Sequence, residues 1–397
     1  MIAAMALGES TIVGLSPGHD VSATSRIVVQ LGATRRDDGD VAIITGASNG
    51  LHSSADALDC GNSGTTIRLM TGVVSAVTGR HTLIGDASLS RRPMDRIARP
   101  LALMGSVVEG AGPSVTPPLH VIGSSSLVGI DYAVPIASAQ VKSALLFAGL
   151  SAAGETVVHE AVRTRSTTEE MFTLAGLDVQ SEQRGAGRTV TIVPGRPRAV
   201  AWRVPGDPSQ AAFFAVLGAV HADADLEVSD IATSRERVGF MGILQRMGAE
   251  VFFVEGIAST SLHSKSSVLR ATEVHDHEIP SLDEVPVLVV AAAAATGVSV
   301  FRDMGELRLK ESDRFTGSLA LARALGCRAW SEGDDLFVEG LGGASKFRAF
   351  SADASLDHRI VMASAVAGCA GAGCSINAAE TVASSYPGFF EDLESLS

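Results

Sequence analysis

Charged and polar residues that could bind or transform a small anion gather at six places along the chain, each beside an apolar, helix-like run. The densest is GELRLKESDRF, Gly305 to Phe315, where Glu306, Arg308, Lys310, Glu311, Asp313 and Arg314 fall between mostly apolar flanks. On one helix Lys310 and Arg314 would stand a turn apart on a shared face. A solvated charged face would continue into the flanks, so this island points to a site. In LDCGNSGTTIRLMTG, Leu58 to Gly72, a strand runs through a Gly/Ser/Thr turn into a helix starting near Thr65. The free N–H groups of such a helix start attract phosphate or carboxylate. Gly64 permits close backbone approach, Asn62 and Thr65 add polar side chains, and Arg68 follows one turn on; the same residues also serve as a plain helix cap.

The other four places are sparser. In GDASLSRRPMDRIARPLALMG, Pro93 suits a first helical position, which puts Arg91 and Arg92 at the positive end of a helix, unfavourable unless an anion joins them. In PIASAQVKSALLFAGLSA, Ser138, Ala139 and Gln140 lead into a helix holding Lys142, either as a cap or as contacts to a sugar-like hydroxyl. Nearby, Arg163 and Arg165 precede an acidic turn and either bind an anion or pair with Glu169 and Glu170. Asp283 and Glu284 open a nearly all-apolar helix, as an acidic cap or as a carboxylate whose pKa burial raises toward general-base duty. Asp357, His358 and Arg359 precede a small-residue helix. Arg359 is the better ligand of the three, because a guanidinium stays charged and grips phosphate or carboxylate bidentately.

Something must bring these places to fixed positions, and the chain repeats a pattern suited to it. A helix ends in a hydrophobic residue and glycine, a strand follows, then a polar turn and a second strand. The glycines are Gly32, Gly105, Gly176, Gly248 and Gly326, spaced by 73, 71, 72 and 78 residues. Regular spacing of this size indicates stacked copies of one supersecondary unit, here strand, helix, strand, helix and hairpin, an α/β plan. The pattern predicts two domains, 1–204 and 205–397, divided where VPGDPSQAAFFAVLGAV opens a new strand, turn and helix. Six full units would need more residues than are present, and the shortfall falls at the start. There Met1 to Leu7 reads as the second half of a helix, stopped by Gly8 before a strand from Ser10.

At 397 residues and 46% hydrophobic, the chain can bury two large cores. The net charge of −13 argues against general nucleic-acid binding. The most apolar stretch, Val285 to Ala295, is too short to span a bilayer. Cys60, Cys327, Cys369 and Cys374 form no Cys-x-x-Cys pair and have no histidine at metal-ligand spacing, so they read as buried, reduced thiols.

Eight motifs, in order, resemble the EPSP synthase (3-phosphoshikimate 1-carboxyvinyltransferase) family: DCGNSGTTIRLM, SRRPM, SAQVKSALL, PGDPSQAAFF, DEVPVL, LKESDR, DHR and SSYPGFF. The resemblance implies an inside-out α/β barrel of two similar domains, each of three repeated βαβαββ units, closing over substrates bound in a cleft. It implies transfer of the enolpyruvyl group of phosphoenolpyruvate to the 5-hydroxyl of shikimate 3-phosphate, with no metal or organic cofactor, in a cytoplasmic monomer that engages neither membrane nor nucleic acid. It assigns Ser138, Ala139, Gln140, Arg165, Asp283 and Lys310 to shikimate 3-phosphate, and Gly64, Arg92, Gln140, Arg314 and Arg359 to phosphoenolpyruvate. Asp283 matches the proton acceptor and Glu311 the proton donor, with Lys310 beside Glu311 to hold or tune it. The family opens with a segment near PGDKSxSxR that binds both substrates, and Met1 aligns just past it; the chain as written is therefore expected to be nearly inactive. Ser384 stands where many members have Lys or Thr, and no role is carried over there. Two rivals remain at this point: a UDP-N-acetylglucosamine enolpyruvyl transferase, disfavoured because no cysteine lies between Cys60 and Cys327, and a non-catalytic remnant.

Overall fold

The five helix-ending glycines all adopt positive φ, from +78° to +107°, a region open to glycine and costly for residues with a Cβ. Each is followed by an antiparallel hairpin: Thr34–Asp38 with Val41–Thr45, Val107–Ala111 with Thr116–Gly123, Val179–Arg184 with Gly187–Ile192, Glu250–Glu255 with Thr260–Lys265, and Arg328–Glu332 with Asp335–Leu341. The expected repeat is therefore a structural one. The computed structural model describes residues 1–256, 259–279, 282–354 and 357–396, and the chain divides into two compact units, Met1–Val204 and Pro205–Ser397.

In the first unit the repeat builds three four-stranded sheets. Leu58–Asp59 runs parallel to Gly79–Ile84, whose other edge carries the second hairpin. Asp131–Val134 runs parallel to Thr156–Glu160, whose other edge carries the third. In the remaining sheet Glu9–Val13 takes the central place, and its parallel neighbour is Ala201–Arg203, the last strand of the unit. The chain thus closes the unit on itself before leaving it. Helices Gly64–Ser75 and Ala139–Gly149 are sunk into the core with little polar surface left over. Gly72 makes their contact possible, since a Cβ there would lie 2.1 Å from the carbonyl oxygen of Ala144.

The second unit repeats the plan less fully. Glu273–His275, Thr296–Arg302 and the last hairpin form a four-stranded sheet of the same order. In the sheet of Asp225–Val228 with the fourth hairpin, the parallel neighbour is reduced to a single bridge between Gly206 and Ile231. The third pairing, Phe350–Asp353 with Cys374–Asn377, has two strands among the described residues. Helices Pro208–Val220, Val285–Ala294 and His358–Ala370 fill this core. All ten residues of Val285–Ala294 are buried, as expected of a helix that is apolar on every side. Each unit has its own hydrophobic core.

Three local expectations are corrected. The helix after the arginine pair begins at Asp95, not Pro93. Arg92 is extended, as residues before proline tend to be, and the N–H groups of Met94 and Asp95 both point to the carbonyl of Ser114. Lys310 and Arg314 do not share a helix. Lys310 ends the 3-10 segment Met304–Leu309, and Asp313 caps a separate helix, Arg314–Ala324, by accepting the Thr316 N–H at 3.0 Å. Finally, Cys60 and Cys327 are buried, but Cys369 and Cys374, where the last long helix gives way to a strand, are exposed.

Candidate active site

In the first unit, Ser63 caps helix Gly64–Ser75 by accepting the Thr66 N–H at 3.1 Å. This leaves the first turn facing two guanidinium groups: a Cβ on Gly64 would sit 2.9 Å from Arg92 Nη1 and 3.0 Å from Arg68 Nη1. Gly64 therefore serves by having no side chain. Arg68 Nη1 donates to Gln140 Oε1 at 2.7 Å, and Gln140 Nε2 donates to Thr65 Oγ1 at 2.9 Å. Arg92 Nη2 donates to Asn62 Oδ1 at 2.8 Å, and Asn62 Nδ2 to Asp86 at 2.6 Å. Six residues expected from three motifs, Asn62, Gly64, Thr65, Arg68, Arg92 and Gln140, thus form one connected cluster. Its cations bracket a helix N-terminus, an arrangement that stabilises a bound phosphate or carboxylate.

Ser138 adjoins this cluster as the cap of helix Ala139–Gly149, accepting the Val141 N–H at 3.4 Å, with Ala139 as the first helical residue. Arg165 enters through its backbone, whose carbonyl accepts from Lys142 Nζ at 2.8 Å. In the acidic turn behind it, Glu169 faces Lys142 and Arg188, and Glu170 accepts from the Ser166 hydroxyl.

In the second unit the charge island and the two helix mouths converge on Arg314, whose side chain is 1% exposed. Its Nη1 lies 2.9 Å from Asp283 Oδ1 and its Nε 2.8 Å from Asp357 Oδ2, and its Nη2 contacts Glu311. Lys310 Nζ stands 3.6 Å from the same Asp283 oxygen. Three carboxylates and two cations, drawn from three chain segments, form one network. Asp357 was expected only to precede a helix, yet it is the buried keystone. Its Oδ1 accepts the Arg359 N–H at 2.9 Å and its Oδ2 the Ser312 hydroxyl at 2.9 Å. Burial alone would raise its pKa, but Arg314 and His358 outweigh that and the net shift is downward. His358 is shifted downward as well: burial, then the positive charges of Arg359 and Arg314, lower its pKa to about 4. It is neutral near pH 7. Arg359 is buried, donates from Nη1 to the Ser209 carbonyl at 3.1 Å, and lies over the ring of Phe213.

The choice between cap and base for Asp283 and Glu284 has a split outcome. Glu284 is the N-cap of helix Val285–Ala294 but makes no side-chain cap hydrogen bond to it. Glu284 is the buried one, and burial together with the charge of Asp283 raises its pKa. It accepts from Ser209, which Arg237 also contacts. Asp283 is the one held by cations. Sequence reading does not reach the parts played by Asp357 and Arg237; the only signal is that each is a charged residue beside an apolar run. Among the described residues no three His, Cys, Asp or Glu side chains converge as a metal site, and no helix is long and apolar enough to cross a membrane.

Two α/β units of one repeated motif, with arginines, lysines and carboxylates gathered at the N-termini of buried helices, define a protein suited to small polyanionic ligands. The model of the EPSP synthase (3-phosphoshikimate 1-carboxyvinyltransferase) family matches residues 1–393, and the chain belongs to that family. The 3-phosphoshikimate 1-carboxyvinyltransferase of Anaeromyxobacter sp. (strain K) is 40% identical over 100% of this chain and 90% of its own length. The protein of that name from Lactococcus lactis subsp. lactis is 36% identical over 100% and 93%. An EPSP synthase structure from Acinetobacter baumannii superposes with TM-score 0.86 at 35% identity, covering 100% of this chain and 92% of the other. The enolpyruvyl transferase NikO from Streptomyces tendae, 18% identical with TM-score 0.77 over 100% and 90%, shares the fold.

Proposed function

We propose that this protein transfers the enolpyruvyl group of phosphoenolpyruvate to the 5-hydroxyl of shikimate 3-phosphate, releasing phosphate, in the pathway to chorismate and the aromatic amino acids. The observation that carries this reading is the family match over residues 1–393, joined to carboxylates and cations clustered at the motifs that define the family. In this reading Ser138, Ala139, Gln140, Arg165 and Lys310 hold shikimate 3-phosphate. Gly64, Arg92, Gln140, Arg314 and Arg359 hold phosphoenolpyruvate, with Asn62, Thr65 and Arg68 fixing Arg92 and Gln140 through the hydrogen bonds described.

Asp283 takes the proton of the 5-hydroxyl as its oxygen attacks the enolpyruvyl carbon, and Glu311 delivers a proton to the methylene carbon. Phosphate then leaves as the methyl group returns a proton and the double bond reforms. Lys310 and Arg314 against Asp283 hold its carboxylate in place, and the surrounding cations stabilise the phosphate oxygens throughout. No step calls for a metal or an organic cofactor. The reading includes action as a monomer in the cytoplasm, which light scattering and cell fractionation test.

The decisive assay is phosphate release by the full-length protein. Release is expected only when both shikimate 3-phosphate and phosphoenolpyruvate are present. Equal release with UDP-N-acetylglucosamine in place of shikimate 3-phosphate would move the activity to a different acceptor.

A further inference from the structure

The most deeply buried charges of the first unit lie beneath the expected ligands. Lys142 stands two residues past Gln140 and is fully buried. Its Nζ lies 3.0 Å from Glu160 Oε2 and 2.8 Å from Glu169 Oε1, and donates to the Arg165 carbonyl at 2.8 Å. Arg188, on the neighbouring strand Gly187–Ile192, donates from Nε to the same Glu160 oxygen at 2.9 Å and from Nη2 to the Thr164 carbonyl. The Thr164 hydroxyl closes the ring on Glu160 Oε1. Burial would raise the pKa of Glu160, but Lys142, Thr164 and Arg188 reverse that and lower it.

Two cations and two carboxylates cancel, so the charge of Lys142 is neutralised internally and is not offered to a ligand. What the quartet supplies is geometry. It grips two successive carbonyls, those of Thr164 and Arg165, in the connection between strand Thr156–Glu160 and helix Thr167–Leu174. Lys142 anchors that connection to the helix whose first turn is Ser138, Ala139 and Gln140. Buried ion clusters add little net stability over apolar packing; here Lys142 and Glu160 are each held by several partners, which fixes their arrangement.

We propose that Lys142 is a positioning residue for shikimate 3-phosphate, locking the 161–166 connection, and with it Arg165, against the first turn of helix Ala139–Gly149. The inference rests on the assignment of these residues to shikimate 3-phosphate made above.

Steady-state kinetics and calorimetry on full-length Lys142→Met, Lys142→Arg and Glu169→Gln test it. Lys142→Met is expected to raise KM for shikimate 3-phosphate about tenfold or more and to weaken its binding in the absence of phosphoenolpyruvate by the same factor. The KM for phosphoenolpyruvate and kcat should move less than about threefold, since Lys142 is held by Glu160, Glu169 and the Arg165 carbonyl, whereas Arg92 is held by Asn62. Lys142→Arg, which keeps the charge and the donors, should recover most of the loss. Glu169→Gln keeps the shape while removing one charge, and should give a smaller shift of the same kind even if the Met variant fails to fold. A lower melting temperature with unchanged affinity for shikimate 3-phosphate in the folded variants would overturn the proposal, as would an equal rise in both KM values. Failure of the unaltered protein to bind shikimate 3-phosphate would instead remove the assignment beneath it.

Discussion

Arg314 Nη1 lies 2.9 Å from Asp283 Oδ1, although the two residues are 31 positions apart in the chain. The contact joins the start of one buried helix to the mouth of another, and places the expected proton acceptor beside an almost fully buried cation. Arg314 meets Glu311 and Asp357 as well. One guanidinium therefore organises both carboxylates assigned to proton transfer and the one that is wholly structural.

Replacing either transfer carboxylate by its amide should separate catalysis from binding. Asp283→Asn and Glu311→Gln are each expected to lower turnover by roughly 10²–10⁴-fold, the usual scale for losing a general acid or base. Calorimetry should find the affinity for shikimate 3-phosphate little changed. A variant with near-normal turnover would remove that residue from the mechanism.

Asp357→Asn should be costly to the fold, by about 3–5 kcal/mol, because it leaves a buried guanidinium short of a buried counter-charge. The pH dependence has a definite sign. The native pKa of Asp357 lies below its usual value, so its contribution is complete above about pH 4 and disappears as pH falls through the lower native value. Urea unfolding of the two proteins should differ near pH 7 and converge in stronger acid.

His358 predicts a second acid-sensitive contribution at higher pH. Its pKa falls from 6.5 to about 4 in the folded protein. Between those values the unfolded chain binds a proton that the native state refuses, so stability declines as pH drops from about 6.5 toward 4. His358→Gln should flatten that part of the stability curve by a few kcal/mol at most, and a histidine ring signal assigned to His358 should not titrate between pH 8 and 5. Titration near pH 6.5 would contradict the burial argument.

One substitution at two glycines should have opposite consequences. At Gly72 a methyl group would meet the Ala144 carbonyl oxygen at 2.1 Å. Backbone cannot swing aside without parting two core helices, so Gly72→Ala should destabilise the protein by about 1–3 kcal/mol or more. At Gly64 the methyl group meets only the far ends of the long Arg68 and Arg92 side chains. Gly64→Ala should therefore keep its melting temperature and lose affinity for phosphoenolpyruvate, by about tenfold. Thermal melts and KM values, read together, distinguish the two.

Much of the backbone was legible because its causes are local. Gly32, Gly105, Gly176, Gly248 and Gly326 end helices through a conformation that depends on a residue and its neighbours, and their spacing exposed the repeat. Helix Val285–Ala294 announced its burial by being apolar on all sides. The motifs around Gly64, Gln140, Asp283 and Arg314 pointed to the family before any contact was known. Local rules failed where a distant group intervened: Pro93 does not start its helix because Ser114 claims the N–H groups of Met94 and Asp95.

Partners of charged side chains belong to tertiary structure alone. Lys142 and Arg92 are both cations close to helix starts, yet one is neutralised in the core by Glu160 and Glu169 while the other lies beside Gly64. Asp283 and Glu284 are adjacent in sequence, yet one meets two cations and the other is buried against Ser209. A long side chain can reach several directions from one backbone position, and the favourable one depends on which elements pack around it and how far they exclude water. Sequence thus determined where charge would gather at the helix mouths, and packing decided which charges meet each other.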